Sequence, residues 1–177
     1  ISILRAELDS QEFTEVETPV LQSIYGGASA RPFTTFHNTL DQKLYLRIAD
    51  ELYLKRLIIG GFTKVYEIAK NFRNEGMDRN HNPEFTALEY YQAYADVYDM
   101  MDLTENLIHS VANKIDKKVL QFSNHTIDIS QAFIRKSMFD FLNESTGDNV
   151  DSMDISDLFT LAKNKNITVE KNMNYDY

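Results

Sequence analysis

Apolar and polar positions change period several times along this chain, and each change marks an element. Ile3, Leu4 and Leu8 fall on one side of a helix over residues 1–11. Residues 13–17 alternate and predict a strand, which Pro19 closes because it has no N–H to give a ladder. A small-residue loop with two consecutive glycines follows at 23–29. Short strands are predicted over 31–36 and 43–48, around a polar turn at 37–42. Asp50 is placed to cap a helix running to Ile59. Gly60 and Gly61 are placed to stop it, since glycine takes the left-handed backbone of a helix end without penalty. Residues 62–72 and 85–95 predict longer strands. Residues 99–115 predict an amphipathic helix with Met100, Leu103, Leu107 and Val111 along it.

Beyond residue 119 the pattern weakens. Short helical segments near 130–143 and 154–164 are separated by the polar stretch 144–149. The predicted fold class is therefore α+β, an antiparallel sheet flanked by helices, with the sheet as the floor of a site. Residues 1–119 form its main part and 120–177 a small, mostly helical insertion. The first residues read as a helix cut partway, without an initiator Met or the basic and apolar regions of a signal peptide. Residues 172–177 carry no end signal. The chain is expected to be a segment of a longer protein, with an incomplete fold.

Composition narrows the class. A chain of 177 residues, 43% hydrophobic, holds one core or one domain with an appendage. No window of about 20 uncharged apolar residues exists, which argues against a membrane span. Zero cysteines exclude disulfides and thiolate metal sites and fit a reducing, cytoplasmic setting. The net charge of -9 argues against a surface that coats nucleic acid. That charge is uneven: residues 31–82 carry nine Lys and Arg against six Asp and Glu, residues 96–177 eight against fourteen. A positive field in the first half suits an anionic ligand such as ATP; ordinary charge mixing is the alternative.

The chemistry concentrates between the two long strands. Residues 73–84 are long for a tight hairpin turn, and long loops in compact domains are often functional. Arg73 and Glu75, two apart at a strand end, are expected to share a face. There Arg73 can grip a phosphate or carboxylate through two parallel hydrogen bonds, and Glu75 can accept from an adenine amino group; a surface ion pair is the plainer reading. Arg79 and His81 are within reach of distal phosphates, or simply exposed. Phe85 is placed to stack on a base, or to begin the core of its strand. Glu89 and Tyr91 alternate onto the face of Phe85 and Ala87 and suit an amine, although half-exposed sheet residues look the same. Gly27 allows close backbone approach, and Glu51 can bind an ammonium or merely answer its helix dipole. No GxGxxG, P-loop or HExxH motif is present, so a nucleotide site here lacks a P-loop.

These blocks resemble the catalytic domain of class II lysyl-tRNA synthetases over almost the whole chain. Phe13-Thr-Glu-Val-Glu-Thr-Pro19 resembles the family's motif 1, with Glu12 where glycine is more usual. Gly26-Gly-Ala-Ser-Ala-Arg-Pro-Phe33 and Arg47-Ile-Ala-Asp-Glu-Leu-Tyr-Leu-Lys-Arg56 resemble signatures of the lysine enzymes, and residues 72–95 resemble motif 2. The resemblance implies activation of L-lysine by ATP with Mg²⁺ and transfer to the acceptor end of tRNA(Lys), in a homodimer joined through motif 1 around Phe13 and Pro19. It implies that Arg73 bridges the lysine carboxylate and the ATP α-phosphate and that Glu75 faces adenine. Phe85 would stack under adenine, and His81, with Arg79 or Asn82, would meet the distal phosphates. Gly27 and Glu51 would receive the α-amino group, Tyr91 and Glu89 the ε-ammonium. The aspartyl and asparaginyl enzymes share the motifs but need a positive group for their substrates, whereas Glu51, Glu89 and Tyr91 suit a cation. Motif 3, with its second ATP-binding arginine and the acidic residues that help hold Mg²⁺, has no counterpart here, and neither does the anticodon-binding domain. A fragment inactive by itself is therefore expected. A paralog that aminoacylates a protein and a non-catalytic dimerisation module are the alternatives.

Overall fold

Nine secondary-structure elements and a short hairpin lead from the first residue to Asp128. In chain order they are α1 (Ser2–Ser10), β1 (Thr14–Glu15), β2 (Leu21–Gln22), β3 (Thr34–His37), β4 (Gln42–Leu46) and α2 (Glu51–Ile59). Then come β5 (Lys64–Phe72), β6 (Glu84–Gln92), α3 (Val97–Lys114), β7 (Val119–Phe122) and β8 (His125–Asp128). The computed structural model describes residues 1–169, so residues 172–177, read above as lacking an end signal, lie outside the described residues.

β5 and β6 are the frame. They pair antiparallel over nine register positions, from Lys64 opposite Gln92 to Phe72 opposite Glu84. Partners in register share a face, and the faces alternate along each strand. Tyr66, Ile68, Leu88 and Tyr90 point one way, into a core with Leu8 of α1, Phe13, and Leu103 and Leu107 of α3. Val65, Glu67, Ala69, Asn71, Phe85, Ala87, Glu89 and Tyr91 point the other way. The core face therefore carries the packing, and the opposite face is left for chemistry. Tyr66, fully buried, keeps its hydroxyl satisfied by donating to Asp9 Oδ1 or Glu15 Oε2, each 3.2 Å away.

β1 completes this sheet in the order β1-β5-β6, and it runs parallel to β5, with Thr14 opposite Val65. The expectation of antiparallel strands fails at this pair. The long crossover through β2, β3, β4 and α2 returns the chain in the same direction, and alternation carries no directional information. A second sheet, β2-β4-β3, is antiparallel throughout. Glu12, standing between α1 and β1, has φ +65°, a left-handed backbone that favours glycine.

α2 ends at Ile59, as predicted, and the two glycines divide the stop between them. Gly60 remains helical at φ -72°, and Gly61 takes the left-handed turn at φ +109°. α3 begins two residues before its predicted start. Asp96 accepts from the Tyr98 and Asp99 N–H groups while Asp99 accepts from the Asp96 N–H, a reciprocal cap that fixes the entry. β7 and β8 form a hairpin where a mostly helical stretch was expected. Its apolar residues alternate only briefly and stay exposed, and Ser123 supplies the turn with φ +55°.

The chain divides into two compact units after Ala132, beyond the boundary at 119 expected above. The hairpin stays with the first unit, and Ile129 N–H donating to Lys118 O extends its ladder by one rung. In the second unit, α4 (Met138–Thr146) and α5 (Ile155–Asn164) are capped by Ser137 and Asp154, and Gly147 ends α4 at φ +81°. Their apolar faces, with Val150 between them, line a cavity of about 450 Å³. Among the described residues no helix is long and apolar enough to cross a membrane.

Candidate active site

The site grows from the face of β5 and β6 turned away from the core. Directly after β5, the Arg73 N–H donates to Pro83 O at 2.8 Å, closing the hairpin loop at its base. The Arg73 guanidinium carbon lies 5.0 Å from the centre of the Phe85 ring, and its Nε reaches toward Ile48 O at 3.4 Å. The arginine is thus held over the aromatic ring by a cation–π contact, with its outer N–H groups available to an anion.

Glu75 departs from the expected geometry. β5 ends at Phe72, so Arg73 and Glu75 do not project from a common strand face; a tight turn intervenes, with Glu75 N–H donating to Arg73 O. The Glu75 carboxylate instead accepts the Arg31 N–H at 3.1 Å, and Asn74 N–H donates to Arg31 O. Two bonds therefore dock the small-residue segment onto the loop. Farther out, Asp78 accepts from the Asn80 and His81 N–H groups and lies 2.8 Å from His81 Nδ1. The Asn80 N–H and the His81 ring hold the Asp78 carboxyl below the usual carboxylate range. His81 and Arg79 are exposed, and Asn82 donates to Glu84 O.

The inner end of the face is acidic. The Tyr91 hydroxyl donates to Glu89 Oε2 at 3.0 Å. Asp50 is fully buried and faces Glu89; it makes no side-chain bond to its own helix and accepts instead from Asn71 Nδ2 at 3.1 Å. The expected helix cap is therefore a site residue, drawn inward by Asn71. Burial, and after it the Asp50 carboxyl, push the Glu89 carboxyl up to about 7. Burial and the neighbouring Glu89 also raise the Tyr91 hydroxyl, so it remains a donor at neutral pH. Glu51 accepts from Lys55 at 2.6 Å, and its side chain packs against Gly27. A Cβ built on Gly27, where φ is +85°, would stand 2.9 Å from Glu51 Cβ, so glycine fits both by shape and by backbone.

On this same face, with Glu67 in register opposite Glu89, lies a buried ion pair. Arg47 Nη1 donates to Glu67 Oε1 at 2.7 Å and to the Thr18 carbonyl and hydroxyl, while its Nε donates to Lys70 O. The backbone of Arg47 joins the two sheets, accepting the Phe72 N–H and donating to Val20 O.

The structure thus brings together Arg73 and Phe85 at one end, and Glu51 and Gly27 with Glu89 and Tyr91 at the other. Phe13 is buried edge-on against Tyr90, a core position, while Pro19 is exposed. Asp50 as a site residue, Asn71, Arg47 and Glu67 escaped the sequence reading. The signal for two of them was present: alternation along β5 puts Glu67 and Asn71, both polar, on the face opposite Tyr66.

The raised Glu89 carboxyl has a consequence for stability. Its folded state holds a proton that the unfolded chain, at an ordinary value near 4.5, has already lost. This contribution is complete below about pH 4.5 and disappears as pH rises through about 7. Relative to Glu89→Gln, the parent chain is expected to lose on the order of 2 kcal/mol across that window, a figure reduced for solvent reaching the site. Urea denaturation of both proteins at a series of pH values measures the difference. Parallel pH profiles would count against the proton on Glu89.

Against known proteins, the family model described as tRNA synthetases class II (D, K and N) matches residues 1–170. Curated relatives include a lysine–tRNA ligase of Methanoculleus marisnigri, 55% identical over 159 residues, covering 89% of this chain and 31% of that protein. A lysine–tRNA ligase of Malacoplasma penetrans is 52% identical over 174 residues, covering 97% and 35%. One from Shewanella loihica is 50% identical over 181 residues, covering 97% and 36%. The chain spans about a third of the length of the curated relatives it matches.

Proposed function

Because this chain belongs to the class II tRNA synthetases of the aspartate, lysine and asparagine group, we propose that its protein activates L-lysine with ATP and transfers it to tRNA(Lys). The observation that carries lysine over the other two substrates is the acidic inner face. Glu89, Glu51 and Asp50 surround a phenol donor, an environment that attracts an ammonium and repels a substrate carboxylate. The likeness to lysine–tRNA ligases supports the same choice.

In this reading the lysine ε-ammonium sits between Glu89 and Tyr91, and the α-amino group near Glu51 and Gly27. The lysine carboxylate lies toward Arg73. A carboxylate oxygen attacks the α-phosphorus of ATP in line, the α–β phosphate bond breaks, and pyrophosphate leaves. The tRNA terminal ribose hydroxyl then attacks the carbonyl carbon, and AMP departs. Arg73 offers its free N–H groups to the α-phosphate, where negative charge accumulates, and Phe85 beneath it is positioned to stack on adenine. Glu75 would face adenine, with Arg79, His81 and Asn82 toward the distal phosphates. For the last role the His81–Asp78 pair occupies Nδ1 and orients an exposed imidazole. The family generally uses Mg²⁺. Among the described residues no group of three His, Asp or Glu side chains is placed to hold a metal ion.

Residues 120–177 are assigned to an insertion after motif 2, and a homodimer is assigned to the motif 1 segment around Pro19. Val20, Leu21 and Ile24 are exposed apolar residues of that segment, which supports the second assignment. ATP–pyrophosphate exchange by the protein at its natural length tests the function. Exchange is expected with lysine and not with aspartate or asparagine. Exchange with aspartate, or none with any of the three, would refute the reading.

A further inference from the structure

The acidic face contains a group that the proposed reaction does not use. Asp50 is fully buried, yet among the described residues its Oδ2 has no hydrogen-bond donor, and the neighbouring Asn71 Oδ1 is equally unpartnered. Two orphaned acceptors in one buried corner are costly to hold unless something supplies protons to them. Asn71 Nδ2 fixes the other Asp50 oxygen, so the orphaned one cannot rotate away without breaking that bond.

The surroundings narrow what that supply is. On β6, Tyr91 already donates to Glu89. On β5, Glu67 stands opposite Glu89 in register, but Arg47 neutralises it. On α2, Glu51 is engaged by Lys55. The Arg73 guanidinium lies over Phe85, at the far end of the face. Among the charged groups named, no cation compensates Asp50 and Glu89 together. Two facing carboxyl groups without a cation keep a proton between them. That proton gives Asp50 its missing donor, and it accounts for the direction in which Asp50 moves the Glu89 carboxyl.

We propose that Asp50 is a positioning residue which holds a proton against Glu89 in the empty site, and that an arriving alkylammonium group replaces that proton. The proposal rests on the lysine reading above. The balance is simple: the carboxylic acid O–H breaks, the proton passes to solvent, and the ligand's ammonium takes over with its own N–H donors. The exchange makes the site selective in two ways. A neutral side chain cannot supply the charge that releases the proton, and the empty site does not carry two bare carboxylates. Asp50 acts through Glu89, so its substitution should change how binding depends on pH and not merely how strong it is.

Isothermal titration of L-lysine into the protein at its natural length, in two buffers of different ionisation enthalpy, counts the protons released. About one proton per lysine is expected near pH 6 and almost none above about pH 8.5, with Kd falling about tenfold between about pH 6 and about pH 8. Asp50→Asn, whose amide donates to Glu89, should cut the release near pH 6 by more than half and flatten the Kd profile to within about twofold. A purely structural Asp50 would weaken binding equally at both pH values and leave the release unchanged, which overturns the proposal. Lysine binding without proton release in the parent protein overturns it too, while leaving the lysine reading intact. Failure to bind lysine at any pH removes both. Should Asp50→Asn not fold, a carbon-13 carboxyl titration of Glu89 in the ligand-free parent protein decides the matter. A midpoint at the ordinary carboxylate value refutes the shared proton.

Discussion

Arg73→Ala is expected to lower lysine-dependent ATP–pyrophosphate exchange by about 10²–10³-fold or more, the scale seen when a preorganised donor is removed from developing charge. The effect should fall on the chemical step. Arg73 has its ring stack on Phe85 and its Nε contact with Ile48 O in the empty site, so its orientation is set before any ligand arrives. Arg73→Lys should recover little, since an ammonium has neither the planar fork nor the stacking face. Folding should scarcely change, because the lost cation–π contact is worth only about 0.5–1 kcal/mol at a half-exposed position. Steady-state exchange assays and urea denaturation, run in parallel, separate the two effects. Near-normal exchange by Arg73→Ala would sink the site assignment.

The second large effect concerns Arg47. Its side chain and that of Glu67 are each about 4% exposed, so removal of one partner leaves a charge in the interior. Arg47→Met is expected to cost about 3–5 kcal/mol, and the double variant Arg47→Met with Glu67→Leu to recover most of it. The double variant will still lose the arginine's bonds to Thr18 and Lys70, which hold the segment before β2 against β5. An exposed pair such as Arg5–Glu15 is the natural control, and its loss should be small. Denaturant midpoints for the single and double variants decide the point. If Arg47→Met cost no more than the control, the pair would not be structurally important.

Much of this was legible in the sequence because it was written as periodicity or as a loop of unusual chemistry. The spacing of Leu103 and Leu107 gave α3, and alternation gave β5 and β6 with Phe85, Ala87, Glu89 and Tyr91 on one face. What failed depends on partners distant in sequence. An aspartate before a helix reads as a cap, and only the arrival of Asn71 and Glu89 from two strands turns Asp50 inward. Arg47 lay in a block noted for its resemblance, but nothing local says that its charge is buried against Glu67. Glu75 was misplaced because strand alternation was carried past Phe72, the predicted and observed end of β5, into a turn that alternation does not describe. Alternation likewise says nothing about strand direction, hence the unexpected parallel pairing of β1.

The division of the β5–β6 hairpin into a core face and a site face also sets how this gene segment can vary. Each residue of the hairpin serves one face, and its neighbour serves the other. A codon inserted or deleted within β5 would exchange the faces of residues such as Tyr66 and Glu67, and one within β6 those of Glu89 and Tyr90, so packing and chemistry would fail in one step. Substitutions are felt on one side only, and the loop from Arg73 to Pro83 can change length without disturbing either register. The mutational record of such a hairpin should therefore consist of exchanges within the strands, with length changes confined to the tip.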